Sequence, residues 1–161
     1  MEKGGVFHNC TDGEMGFSKM AESVISFIEN SEEARCRVII GADSSTKKGE
    51  IDYVVAVIVH RVGEGARYWW RREVERGKIH LATRIHNEAA KALELANSLL
   101  PTLRGNGVSE MDIEVHVDIG SIGETRMLIR EVTGMIRGSG FNCKIKPDAF
   151  GASSVADKHS K

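Results

Sequence analysis

Three β-rich segments follow one another between Cys36 and Val74, and a long helical repeat comes directly after them. Cys36–Ala42 (CRVIIGA) is a short apolar run dense in β-branched residues, the pattern of a buried strand. Ile51–Arg61 (IDYVVAVIVHR) and Ala66–Val74 (ARYWWRREV) are the second and third strands. Lys47-Lys48-Gly49 and Gly63-Glu64-Gly65 leave room only for tight turns, so these strands pair antiparallel. Beyond them the linkage changes. Leu81, Ile85, Ala89, Ala92, Leu95, Ala96 and Leu99 keep a helical period from about Ile79 to Leu100, where Pro101 is expected to stop the helix. Asp112–Asp118 (DIEVHVD) alternates as a strand, and Ser121-Ile122-Gly123-Glu124 opens the next helix with a capping box. That helix carries Leu128, Val132, Met135 and Ile136 on one stripe. Phe141–Lys146 is a last short strand, and Pro147-Asp148 begins a C-terminal helix from about Ala149 to Lys158. Strands joined by helices run parallel. The order predicts an α/β fold with a mixed sheet, antiparallel at one side, parallel at the other, flanked by helices.

The 161 residues suit a single domain, 1–161, with enough chain to bury a core without disulfides. Residues 1–16 are Gly-rich and polar and read as an irregular lead-in. A first helix is expected over 17–30, with Ser18 as N-cap and Met20, Val24, Phe27 and Ile28 on its apolar stripe. The net charge of -1 gives no global field for nucleic acid or an anionic membrane, though one local patch would suffice for an enzyme. Cys10, Cys36 and Cys143 form no CxxC pair and read as free thiols of a reducing compartment. With no apolar run of signal or spanning length, the expected location is the cytoplasm, away from membranes.

Against this framework a few acids stand out. Asp43 ends the first strand and Asp118 the fourth, each followed by small residues. In open α/β sheets ligands bind beyond the carboxyl ends of adjacent strands, so neighbouring strands would bring both acids to one rim. Glu88 lies on the apolar stripe of the long helix, whereas Glu94 shares the polar side. An acid facing a core needs a partner or a metal. Asp148, at the start of the last helix, is a fourth candidate. Separate carboxylates brought together suit hard cations such as Mg²⁺. Other readings stay open: a polar turn at Asp43 or Asp118, an ion pair of Glu88 with Arg84, a helix N-cap at Asp148.

Other features carry weaker chemistry. His116 precedes Asp118 on the same strand face, as a ligand or as a hydrogen-bonded sheet residue. His80 and His86 lack zinc spacing, and His159 lies in the tail. The segment Arg67-Tyr68-Trp69-Trp70-Arg71-Arg72 is the densest in basic and aromatic residues, and Arg67, Trp69, Arg71 and Arg72 are its candidate nucleic-acid contacts. Alternation along a strand would, however, bury one of its tryptophans. Asp118–Thr125 superficially resembles a phosphate-binding turn of sugar kinases and actin-like ATPases, but a capped helix follows it.

The order of elements and acids resembles the ribonuclease H-like nuclease superfamily. More closely, IIGADSS, EVHVDIG and KIKPDAFGASSVADK resemble the signatures of the YkuK-type family of ribonuclease H-related proteins, over about Arg37 to Lys158. The resemblance implies a five-stranded sheet, three strands antiparallel and two more parallel. It implies a site for two ions, Mg²⁺ or Mn²⁺, with Asp43 bridging and Glu88, Asp118 and Asp148 completing it; Asp157 is a weaker candidate. The implied activity is hydrolysis of phosphodiester bonds in RNA, DNA or a hybrid. A non-catalytic nucleic-acid or protein-binding module and a nucleotide-binding phosphotransferase domain are the alternatives.

Overall fold

The computed structural model describes residues 5–30, 35–109, 112–119, 126–146 and 148–149. In chain order the described elements are β1 (Phe7–Asn9), β2 (Gly13–Met15), α1 (Phe17–Glu29), β3 (Cys36–Lys47), β4 (Glu50–Arg61), β5 (Gly65–Arg76), α2 (Leu81–Gly105), β6 (Ile113–His116), α3 (Ile129–Gly138) and β7 (Asn142–Lys144). The strands join one sheet in the order β2-β1-β5-β4-β3-β6-β7.

The middle of that sheet is the expected one. β3, β4 and β5 form an antiparallel meander, and β6 and β7 add parallel to β3. The hairpin between β3 and β4 closes on Lys48 and Gly49, with φ of 49° and 76°. Two consecutive positive φ values match the twist of the flanking strands. The sheet has seven strands rather than five because β1 and β2 lengthen it beyond β5. These two lie in the stretch expected to be irregular. Each has only three residues, too few to show alternation. Their anchor is Asn9, whose side-chain oxygen accepts the N–H groups of Thr11 and Asp12 and whose amide donates to the Tyr68 carbonyl.

Side chains alternate along each strand. One face carries Val38, Ile40, Ala42, Val55, Val57, Val59, Trp69, Ile113 and Val115, packed with the apolar stripes of α1, α2 and α3. The other face holds a smaller cluster of Ile39, Ala56 and Ile58 against Tyr68 and Trp70. α1 starts from Gly16, whose carbonyl accepts the Met20 N–H, so Ser18 is inside the helix and not its cap. α2 continues past Pro101 to Gly105. A proline inside a helix removes one hydrogen bond, but Leu99 and Leu103 on either side are fully buried, and that packing holds the last turn. The capping box at Ser121 and the C-terminal helix lie outside the described residues. No described helix is long and apolar enough to cross a membrane.

Candidate functional site

β3 and β6 run parallel, and their last paired residues are Gly41 and His116. Two residues further on, the strands reach Asp43 and Asp118. α2 packs across β3 and brings a third acid to the same place. Its apolar stripe is continuous except for Glu88, which is 3 % exposed. A buried carboxylate with no cation beside it must find donors or keep its proton.

Glu88 does some of both. The Ser44 hydroxyl donates to its Oε1 at 2.5 Å. The Ser44 backbone N–H donates to Asp43 Oδ1 at 2.9 Å. Ser44 is thus bonded to both acids, to one through its hydroxyl and to the other through its backbone N–H. Glu88 Oε2 is buried with no hydrogen-bond partner among the described residues. Burial pushes the Glu88 carboxyl up to about 8, against the Ser44 hydrogen bond. The charge of Asp43 adds to the rise, Arg84 opposes it, and Asp118 adds a smaller push. Asp43 and Asp118 are therefore both within charge range of Glu88. Arg84, one helical turn before Glu88, acts on it by charge, and its own Nε is buried without a partner among the described residues.

Asp118 is half-buried and its Oδ1 lies 3.0 Å from Lys146 Nζ. Asp148 is exposed, in a turn closed by its N–H on the Ile145 carbonyl, and does not figure among the charges acting on Glu88. Asp157 lies outside the described residues, as do His159 and most of the loop from Gly120 to Thr125 read for phosphate. His116 is 3 % exposed, with Nε2 3.4 Å from Glu114 Oε1. Glu114 also receives two bonds from Arg37, at 2.7 and 2.9 Å. Burial pushes the His116 imidazole down, against the Glu114 hydrogen bond. This is a sheet histidine tied to the buried Glu114 and, through it, to the half-buried Arg37.

Among the described residues, no three Asp, Glu, His or Cys side chains stand close enough together to enclose a metal ion as they are placed. Ser44 holds Glu88 and Lys146 holds Asp118. The chemistry of the donors nevertheless fits a hard divalent cation. The candidate donors are carboxylate oxygens on separate elements, and one buried oxygen, Glu88 Oε2, has no hydrogen-bond partner among the described residues.

β5 corrects the expected nucleic-acid contacts. Trp69 is fully buried, its indole N–H donating to Ser23 Oγ at 3.1 Å and its ring edge-on to Phe27. Arg71 is buried over the Phe7 ring and 3.4 Å from Glu73. Arg67 stacks on Phe27, with its guanidinium carbon 4.7 Å from the ring centre. Arg72 grips Asp52, with Nε 2.8 Å from both carboxylate oxygens. Trp69 and Arg71 are thus core residues, and Arg67 and Arg72 are already engaged. Trp70 faces the opposite side, stacked on His8 at 4.5 Å.

A basic cleft opens elsewhere, beside the acids. It has a volume of about 480 Å³ and lies between the β3–β4 turn and the start of α2. Lys47, Lys48, Lys78 and Arg84 line it, against the one acid Glu50. Thr46 and Arg84 also line it; Thr46 is two residues beyond Ser44 on β3, and Arg84 one helical turn before Glu88 on α2. Sequence reading takes Lys47-Lys48-Gly49 only as a turn and Ser44 only as a small residue. Both roles depend on where α2 crosses β3, which no local pattern reveals. A wider cleft of about 690 Å³ lies between β2 and α1, but its lining mixes Asp12, Glu14 and Glu22 with Lys19 and Arg67.

Comparison with known proteins agrees with this layout. Residues 19–161 match the family model described as Ribonuclease H-like. The chain is 31 % identical over 169 aligned residues to a Bacillus subtilis (strain 168) protein called uncharacterized protein YkuK, covering 97 % of each. No solved structure matches. With the acids at the ends of β3 and β6 and most of its length matched, the chain belongs to the ribonuclease H-like family.

Proposed function

We propose that the protein is a metal-dependent nuclease that hydrolyses phosphodiester bonds of RNA, DNA or a hybrid at the rim formed by β3, α2 and β6. The observation that carries this reading is Glu88. It is a buried acid with one unpartnered oxygen, within charge range of Asp43 and Asp118. Such an arrangement costs stability, and fold maintenance alone does not call for it. Asp43, Glu88 and Asp118, joined by Asp148, would hold two Mg²⁺ or Mn²⁺ ions. When bound, such ions activate water and stabilise the leaving oxygen of a phosphodiester.

The chain's own residues supply the rest. Holding the ions would require Glu88 to release the proton that burial lets it keep and Asp118 to release Lys146. The cleft of Lys47, Lys48, Lys78 and Arg84 takes the phosphate backbone beside the acids. Phosphate contacts of this kind position a strand without reading its bases. This local excess of positive charge reconciles a nucleic-acid substrate with a net charge of -1.

A second reading, a nucleic-acid-binding module without turnover, draws on the Lys146–Asp118 pair, which satisfies one acid without metal. Cleavage separates the two. Labelled single-stranded RNA, duplex DNA and RNA/DNA hybrid are incubated with Mn²⁺ and with native or Asp43→Asn protein. The nuclease reading expects cutting by the native protein only. Asparagine keeps an oxygen for the Ser44 N–H, so the variant should fold. Equal cutting by both proteins removes Asp43 from the site. Binding of the same substrates without cutting favours the module.

A further inference from the structure

Ser44 is bonded to two of the three rim acids at once. Its hydroxyl donates to Glu88 Oε1 at 2.5 Å, and its backbone N–H to Asp43 Oδ1 at 2.9 Å. The two acids belong to different elements, β3 and α2. Once Glu88 is ionised the two carboxylates repel, and a glutamate side chain has several rotamers with which to turn away. The hydroxyl holds one oxygen of the glutamate and leaves the other, Oε2, buried without a hydrogen-bond partner among the described residues. Ser44 is itself half-buried and fixed by the ladder through its pairing with Tyr53, a fully buried residue. The clamp is therefore anchored before any cation arrives.

We propose that Ser44 is a positioning residue of the metal site. It holds Glu88 in the one arrangement that keeps Oε2 open to a cation while tying Asp43 to the same strand position. This inference rests on the nuclease reading, since it assumes that Asp43 and Glu88 bind metal. Loss of a hydrogen bond that orients a metal-binding carboxylate typically weakens metal binding by about 10- to 100-fold. The backbone N–H bond to Asp43 survives any side-chain change, so substitution tests the Glu88 half of the clamp alone.

The test is calorimetric titration of Mn²⁺ into the full chain, native and with Ser44→Ala or Ser44→Thr, with thermal unfolding as a check on folding. Ser44→Ala should weaken Mn²⁺ binding by about 10-fold or more, and Ser44→Thr, which restores a hydroxyl, should recover most of it. Equal affinity in all three proteins overturns the inference and leaves the nuclease reading standing. Weak binding in both variants also overturns it, for then the pocket tolerates only serine's size and the hydroxyl has no separate part. If the native protein binds no Mn²⁺, the nuclease reading falls and this inference falls with it.

Discussion

Strand β5 and the rim of acids are both dense in charge, and they treat it in opposite ways. On β5 the charges are spent inside the molecule. Arg67 lies on Phe27, Arg71 on Phe7, and Arg72 on Asp52, while Lys91 of α2 reaches across to Glu73 and Glu75. At the rim, by contrast, a buried carboxylate oxygen and a buried guanidinium nitrogen one helical turn apart, on Glu88 and Arg84, both lack hydrogen-bond partners among the described residues. Composition ranks β5 as the richer site. The buried carboxylate oxygen of Glu88 ranks the rim first. Charge already paired within a fold explains the fold, and charge left unpaired in a buried place needs an outside partner.

The largest effect that would break this contrast is on β5. Trp69→Ala should cost about 3–5 kcal/mol in urea unfolding, the range for deleting a fully buried aromatic. A loss under about 1 kcal/mol together with weakened RNA binding would return Trp69 to the surface role that its sequence context suggests.

A smaller effect of opposite sign is expected at the rim. Without metal, folded Glu88 keeps its proton up to about pH 8, whereas in the unfolded chain it ionises around 4.5. The folded state binds the extra proton between those values, so stability falls as pH rises through about 8. Glu88→Gln, neutral throughout, should unfold at higher urea than the native protein above pH 8, by about 2 kcal/mol after relaxation is allowed for. The difference should vanish below pH 4.5. A glutamine variant that is less stable at every pH would show that the charge at Glu88 is compensated after all.

The smallest effect sharpens the comparison on the binding side. Replacing Lys47 and Lys78 by alanine should reduce the salt dependence of nucleic-acid binding by about two units of slope, one per phosphate contact. Arg67→Ala should leave the slope unchanged, because that guanidinium is committed to Phe27. The reverse pattern would move the phosphate track from the cleft to β5.

Much of the fold was legible because its periodicities are long. The twelve-residue strands β3, β4 and β5 and the helix α2 each repeat their pattern several times. Glu88 stood out because chemistry and period conflict there, an acid on an apolar stripe. The short edge strands β1 and β2 were not legible, since three residues carry no period and Asn9 anchors them through Tyr68, 59 positions away. Nor were the partners of the β5 arginines, which come from α1, β1 and β4. The Ser44 clamp and the lysine cleft were hidden for the same reason, because each needs two elements that only the tertiary fold brings together.

The central claim is that the rim acids hold divalent metal, and Mn²⁺ soaked into crystals of the protein tests it most directly. The account predicts anomalous density within about 2.5 Å of Glu88 Oε2, shared with Asp43 and Asp118, and its loss in the Glu88→Gln protein. Density that avoids the rim, or that persists there without the Glu88 carboxylate, would contradict it.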